Sequence, residues 1–442
     1  MTNLSRRKFI ITAGITAAGA IIANGCSSNG SNADNSGAST SNTAKPAANV
    51  TTVANAPKVE TKSAKLGFIA LTDSAPLIIA FEKGLFQKYG MTDVQVVKQT
   101  SWAATRDNLE LGSAQGGIDG AHILSPMPYL MTAGAITKTK QPLPMQILAR
   151  LNTNGQGISV SNKYKDLKIG KDSSPLKQAI AGGKKLTCAV TFPGGTHDLW
   201  MRSWLAAGGI DPEKDVEIIV IPPPQMVASM KAGKMDAFCV GEPWNGKLIQ
   251  EQTGYSALVT GEMWKDHPEK ALSMRADWVE KNPNAAKAIL MAVQEAQIWC
   301  DKPENKDEMS KIIATGKYLK VDALAISDRS KGKIDYGTGR IETASPVAMK
   351  FWNDNSSFPY KSHDTWFITE NIRWGQLPAD TDVKALIAKV NREDMWKEAA
   401  KAIGQEAAIP ASDSRGVEDI LGIKFDPADS AGYLKGLKIK KA

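Results

Sequence analysis

The 442-residue sequence predicts an α/β protein of two lobes, with a cleft between them and a helix-rich C-terminal part. Three observations carry this. The order strand, helix, strand, helix, strand occurs twice, first over 65–123 and again over 186–240, which implies largely parallel sheets covered by helices. Hydrophobic residues make up 42% and charged residues 23%, the balance of a water-facing globular chain with material for a sizeable core. No run of about 18 apolar residues is present to cross a bilayer.

The N-terminus reads Ser5-Arg6-Arg7-Lys8-Phe9, then an apolar run from Ile10 to Ala23, then Asn24-Gly25-Cys26. A charged start, a short apolar segment and a small-residue exit make residues 1–25 a secretory signal peptide. The paired Arg6 and Arg7 are of the twin-arginine type. Residues 26–62 are dominated by Ser, Asn, Ala, Thr and Gly. Such a segment buries too little apolar surface to offset its ordering entropy, so a disordered tether is expected.

The body follows. Lys65 to Leu71 is a short apolar strand. Ser74 opens a helix expected to run to about Tyr89, with Pro76 in its first turn and Leu77, Ile78, Phe81, Leu85 and Phe86 as its buried stripe. Asp93 to Lys98 alternates as a strand, 102–111 reads as a helix, and Gly117 to Ile123 as a strand. In the second unit, Leu186 to Phe192 is a strand and Pro193-Gly194-Gly195 a turn before a helix from His197 to Ala207. A strand at Val216–Ile221, a helix at Gln225–Ala232 and a strand at Met235–Val240 complete it. The predicted division is 63–160 plus about 250–442 for the first lobe with the C-terminal helices, and 161–249 for the second lobe. Helices are expected at Asn284–Trp299, Lys306–Ala314 and Val383–Ile403, and 410–442 as an irregular wrapping tail.

Absent motifs narrow the function. There is no GxGxxG, Walker A, GxSxG, HExxH or CxxC run, and the four histidines are scattered at 122, 197, 267 and 363. No metal site, cofactor or catalytic centre is expected. Cys188, Cys239 and Cys300 sit apart as buried free thiols. The net charge of +8 is spread along the chain and gives no nucleic-acid footprint. Function is therefore expected in binding across two lobes, in the crevice at the carboxyl ends of the strands, with hinge closure.

Several stretches then carry a resemblance. These are Leu66-Gly67-Phe68-Ile69-Ala70-Leu71-Thr72-Asp73-Ser74-Ala75-Pro76 with Gly84-Leu85-Phe86, and Ser101-Trp102. With them go Thr191-Phe192-Pro193-Gly194-Gly195-Thr196-His197, Val240-Gly241-Glu242-Pro243-Trp244 and His267-Pro268-Glu269-Lys270. Together they resemble the solute-binding lipoproteins of ABC importers, and among these the cyanobacterial nitrate-binding lipoproteins and their bicarbonate-binding paralogues. The resemblance implies the periplasmic-binding-protein fold and a monomer that binds nitrate and nitrite with high affinity. It also implies delivery of the anion to the permease and ATPase subunits of an importer. Ala23-Asn24-Gly25-Cys26 resembles a lipobox, with Ala23 where Leu is usual, and implies lipidation of Cys26 at the periplasmic face of the inner membrane.

The same resemblance implies the ligand contacts. Trp102 offers an indole N–H, Gln156 an amide, His197 a donor at a helix start, Gly241 a backbone N–H and Lys270 the positive charge. Pro222 and Pro223 form a neighbouring wall, and Glu242 and Trp244 are expected as hinge packing. Nitrate has three acceptor oxygens and no proton, so its site should hold donors and a cation, with no carboxylate facing the ligand. Bicarbonate also donates an O–H. Its relatives carry Glu with calcium in place of the Lys, which makes a bicarbonate-binding protein the alternative, beside a sulfonate-binding one. His197 is the one contact whose ordinary pKa, about 6.5, lies near physiological pH, so it is expected to set the pH dependence of binding.

Overall fold

The structure is a computed structural model that describes residues 52–53 and 56–441. The predicted signal peptide and Cys26 lie outside the described residues. The last residues of the segment expected as a tether instead bond to the body. The Val53 amide donates to the Lys88 carbonyl, and Val53 and Val59 pack on the first core. The Glu60 carboxylate accepts from the Asn284 and Ala285 amides at 3.1 and 3.0 Å, capping the helix Pro283–Asp301.

Ten strands build two five-stranded sheets. They are β1 (Ser63–Phe68), β2 (Asp93–Lys98), β3 (Gly120–Leu124), β4 (Met145–Arg150), β5 (Gln156–Ser161), β6 (Leu186–Val190), β7 (Val216–Val220), β8 (Ala237–Gly241), β9 (Gly254–Val259) and β10 (Lys270–Arg275). The first sheet runs β2-β1-β3-β10-β4 and the second β7-β6-β8-β5-β9. Strand β1 pairs parallel with β2 and β3, and β6 pairs parallel with β7 and β8. Both sheets also contain one strand of opposite direction. Strand β10 is antiparallel to β3 and β4, and β5 is antiparallel to β8 and β9.

The lobe boundaries move accordingly. Strands β5 and β9 hydrogen-bond into the second sheet, so that lobe spans 156–259 instead of 161–249. The chain crosses between lobes twice, after β4 and after β9. The first crossing turns sharply through Asn154 and Gly155, both at positive φ. A side chain at Gly155 would strike Met349, with its Cβ 2.2 Å from the Met349 Cε.

Two expected helices are broken. The helix after Ser74 ends at Glu82, and Gly84 at φ 68° starts a separate turn, Leu85–Lys88. The segment 383–403 forms two helices, Val383–Val390 and Glu393–Ala402. Between them Asn391 donates to Asp364 and the Arg392 amide to the Ile147 carbonyl, so the chain bonds sideways to the core. The tail, expected to be irregular, contains a hairpin, Glu418–Ile420 with Ile423–Phe425, and a helix, Ser430–Gly436.

Candidate functional site

Sheet direction explains where the site forms. Ligands of open α/β sheets bind beyond the carboxyl ends of the parallel strands. A strand of opposite direction begins at that edge, so its first residue faces the cleft. Lys270 is the first residue of β10 and pairs with Leu124, the last of β3. Gln156 is the first residue of β5 and pairs with Gly241, the last of β8. Across the cleft Lys270 Nζ lies 3.4 Å from Gln156 Oε1.

The first lobe supplies a charged cluster, every member fully buried. Lys270 Nζ contacts Asp73 Oδ2 at 3.0 Å and also Glu269 Oε2. Asp73 follows β1 in the turn Thr72–Ser74, and its Oδ1 accepts from His122 Nε2 at 2.7 Å. The Ile69 amide donates to His122 Nδ1, so the ring carries its proton on Nε2. Trp102 opens the helix Trp102–Leu111, which Ser101 caps by accepting from the Ala104 amide. The indole lies 5.9 Å from Lys270 Nζ, and its N–H has no partner among the described residues.

The second lobe supplies mostly donors. Gln156 Nε2 donates to Asp73 Oδ2 at 3.1 Å, and Gln156 Oε1 accepts from His197 Nε2 at 2.8 Å. His197 Nδ1 accepts from the Thr191 hydroxyl, which fixes the neutral tautomer. The helix Thr196–Ala207 begins after Gly195 with no side-chain cap. The amides of Thr196, His197 and Asp198 have no acceptor among the described residues, which leaves the positive end of a helix open. The Thr196 hydroxyl donates to Glu269 Oε2 at 3.0 Å and the Trp200 indole to Glu269 Oε1 at 2.7 Å. Gly241 is small by necessity: a Cβ there would lie 2.5 Å from Gln156 Oε1 and 3.3 Å from Asp73 Oδ2.

Charge states follow from these contacts. Burial pushes the Asp73 carboxyl up, but the Lys270 ammonium and His122 outweigh it and hold the group well below the usual carboxylate range. Burial wins at Glu269, whose carboxyl is raised despite Lys270. Lys270 is raised, because Asp73 and Glu269 outweigh its desolvation. Burial, then Lys270, depress His197 far below its ordinary value. His197 therefore stays neutral near pH 7, and the expectation that it titrates there is corrected.

Trp102, Gln156, His197, Gly241 and Lys270 thus meet in one cluster. Pro222 and Pro223 stand after β7 at the short turn Pro223–Gln225, and among the described residues no hydrogen bond joins them to that cluster. Glu242 and Trp244 bridge the lobes. The Thr72 amide donates to the Glu242 carbonyl at 2.7 Å, and the Trp244 indole to the Ala70 carbonyl at 3.0 Å. Glu242 also pairs with Arg329 at 2.6 Å. Sequence reasoning missed Asp73, His122 and Trp200, named Lys270 as the cation and left open whether Glu269 or Lys270 faces the ligand. Two carboxylates, Asp73 and Glu269, stand on Lys270, since a buried ammonium needs buried counter-charges to remain charged.

Residues 57–314, more than half of the chain, match the NMT1-like family. The chain belongs to that family. This NMT1-like chain is 62% identical over 445 residues to the nitrate/nitrite binding protein NrtA of Synechococcus elongatus, covering 100% of this chain and 99% of the relative. It is 43% identical over 454 residues to the bicarbonate-binding protein CmpA of the same species, covering 99% of each. The crystal structure of the periplasmic nitrate-binding protein NrtA from Synechocystis PCC 6803 is similar with a TM-score of 0.85 at 60% identity, covering 86% of this chain and 100% of that one.

Proposed function

We propose that this NMT1-like protein binds nitrate and nitrite between its lobes and delivers them to the permease and ATPase of an ABC importer at the periplasmic face. Full-length identity of 62% to a nitrate/nitrite binding protein supports the reading. The observation that carries it is which polar groups remain open. Among the described residues, the Trp102 indole and the Thr196, His197 and Asp198 amides are donors without partners. The carboxylates are already engaged, Asp73 by His122, Gln156 and Lys270, and Glu269 by Thr196, Trp200 and Lys270. Open donors beside a cation suit an anion that has acceptor oxygens and no proton to give. Bicarbonate would also need an acceptor, and each of these carboxylates already receives three donors.

The test is calorimetric titration with nitrate, nitrite and bicarbonate, in a chelator and then in calcium. One nitrate per chain, insensitive to the chelator, is expected. Binding of bicarbonate alone, dependent on calcium, would contradict the reading.

The proposal extends to a monomer anchored through lipid on Cys26. The lipobox-like Ala23-Asn24-Gly25-Cys26 supports it. Cys26→Ser should move the protein from the membrane fraction to the soluble periplasm with ligand affinity unchanged.

A further inference from the structure

The Lys270 ammonium has three N–H donors, and all three are spent: on Asp73 Oδ2, on Glu269 Oε2 and on Gln156 Oε1. One buried cation also faces two buried carboxylates, with no side chain of the three exposed. A further anion entering beside them would add negative charge where water cannot offset it. The anion therefore needs both a freed ammonium N–H and one negative charge fewer.

We propose that Glu269 takes up one proton when the anion binds, which releases the Lys270 ammonium to the ligand. The inference rests on the nitrate reading above. A solvent proton forms an O–H bond at Glu269 Oε2, and nothing is oxidised or reduced. Two features favour Glu269 over Asp73. Its Oε2 is held by the Thr196 hydroxyl, which can turn from donor to acceptor and receive the new O–H. Asp73 is held by His122 Nε2–H and the Gln156 amide, donors that cannot reverse while their other bonds stand. Burial raises the Glu269 carboxyl while Lys270 and His122 hold Asp73 down, which agrees with that choice.

The charged and titratable groups around Glu269 come from every neighbouring element. Lys270 lies on its own strand, and Asp73, backed by His122, in the turn after β1. His197 and Asp198 stand on the helix Thr196–Ala207, Cys239 on β8 and His267 on the approach to β10. Burial depresses His122, His197 and His267, so none of them supplies a positive charge near neutral pH.

The sign follows. Ligand raises the Glu269 pKa, so affinity is highest below the free-state pKa. It falls as pH rises toward the bound-state pKa, by up to about tenfold per pH unit. The test is calorimetric titration of the protein with sodium nitrate in two buffers of different ionisation enthalpy, across about pH 5.5 to 8.5. The dependence of the heat on the buffer gives the protons taken up. Wild type should approach one proton per nitrate within a pH window. Glu269→Gln, neutral and of the same shape, should bind nitrate with no uptake and a flat profile. Should Glu269→Gln fail to fold by circular dichroism, Thr196→Val removes both the donor to the free carboxylate and the acceptor for the new O–H, and should narrow the window from both sides. Nitrate binding without proton uptake at any pH overturns this inference alone. Unchanged uptake in Glu269→Gln, or a window of unchanged width in Thr196→Val, does the same. Failure to bind nitrate at any pH overturns the ligand reading and this inference with it.

Discussion

Asp73 Oδ2 and Lys270 Nζ form an ion pair at 3.0 Å in which neither side chain is exposed. The two residues lie almost two hundred positions apart in the chain. They meet because β1 and β10 belong to one sheet, with β3 between them. Gln156 of the other lobe bonds to both, so this pair is also the centre of the contact between lobes.

Replacing Lys270 with Ala should damage both binding and folding. Loss of the cation from a dry cleft costs the anion about 2–5 kcal/mol, or about 30-fold or more in affinity. It also strands Asp73 and Glu269 as buried acids, a stability loss of about 3–5 kcal/mol if both stay ionised. Titration calorimetry and chemical denaturation read the two effects separately. Near-native affinity in a folded variant would remove Lys270 from the site.

Trp102→Phe isolates the open indole donor. Its removal breaks no bond among the described residues, so the stability loss should be only the packing of a smaller ring, about 1–2 kcal/mol. A hydrogen bond to a charged ligand contributes about 1.5–3 kcal/mol, so nitrate affinity should drop roughly ten- to hundredfold. Equal affinity in the variant would show that the indole does not touch the anion.

Gly241→Ala places a methyl group 2.5 Å from Gln156 Oε1. Gln156 must then move, and its bonds to Asp73 and His197 stretch. Overpacking of this kind costs about 1–3 kcal/mol, and nitrate affinity should fall by about tenfold. A variant with the wild-type melting temperature and affinity would mean the cleft can widen there freely.

Much of the parallel framework was legible from sequence because its strands are short apolar runs bounded by Gly, Pro or polar turns. Asp93–Lys98 and the helix 102–111 are found as expected. The strands that carry the central contacts were not legible. Strand β5 opens Gln156-Gly157 and β10 opens with Lys270, polar starts without a strand-like alternation. Their apolar residues face both sides of a covered sheet, so no period marks them. Asp73 was hidden differently. In Thr72-Asp73-Ser74-Ala75-Pro76 it reads as a helix-start residue, and only the sheet shows that it faces Lys270. The resemblance named five residues that meet in one cluster, but not the acids that keep Lys270 charged.

His267 gives a pH test of folding that does not involve the ligand. Its Nε2 accepts from the Thr260 hydroxyl and its Nδ1 donates to the Pro268 carbonyl, and burial lowers its pKa to about 3. The unfolded chain binds that proton first. The histidine's contribution is therefore fully present above about pH 6.5 and is lost as pH falls toward the folded value, by about 1.4 kcal/mol per pH unit. Between about pH 7 and pH 5, wild type should lose about 2 kcal/mol relative to His267→Gln. A stability difference that stays constant with pH would contradict a buried neutral His267.

The central claim is that open donors and one buried ammonium receive a proton-free anion between the lobes. A crystal structure of the protein grown with nitrate tests it most directly. The account predicts nitrate within hydrogen-bond distance of the Trp102 indole, the Lys270 ammonium and the first amides of the helix Thr196–Ala207, with Asp73 still on Lys270. Nitrate bound away from Lys270, or a cleft that takes bicarbonate with a metal ion and excludes nitrate, would contradict it.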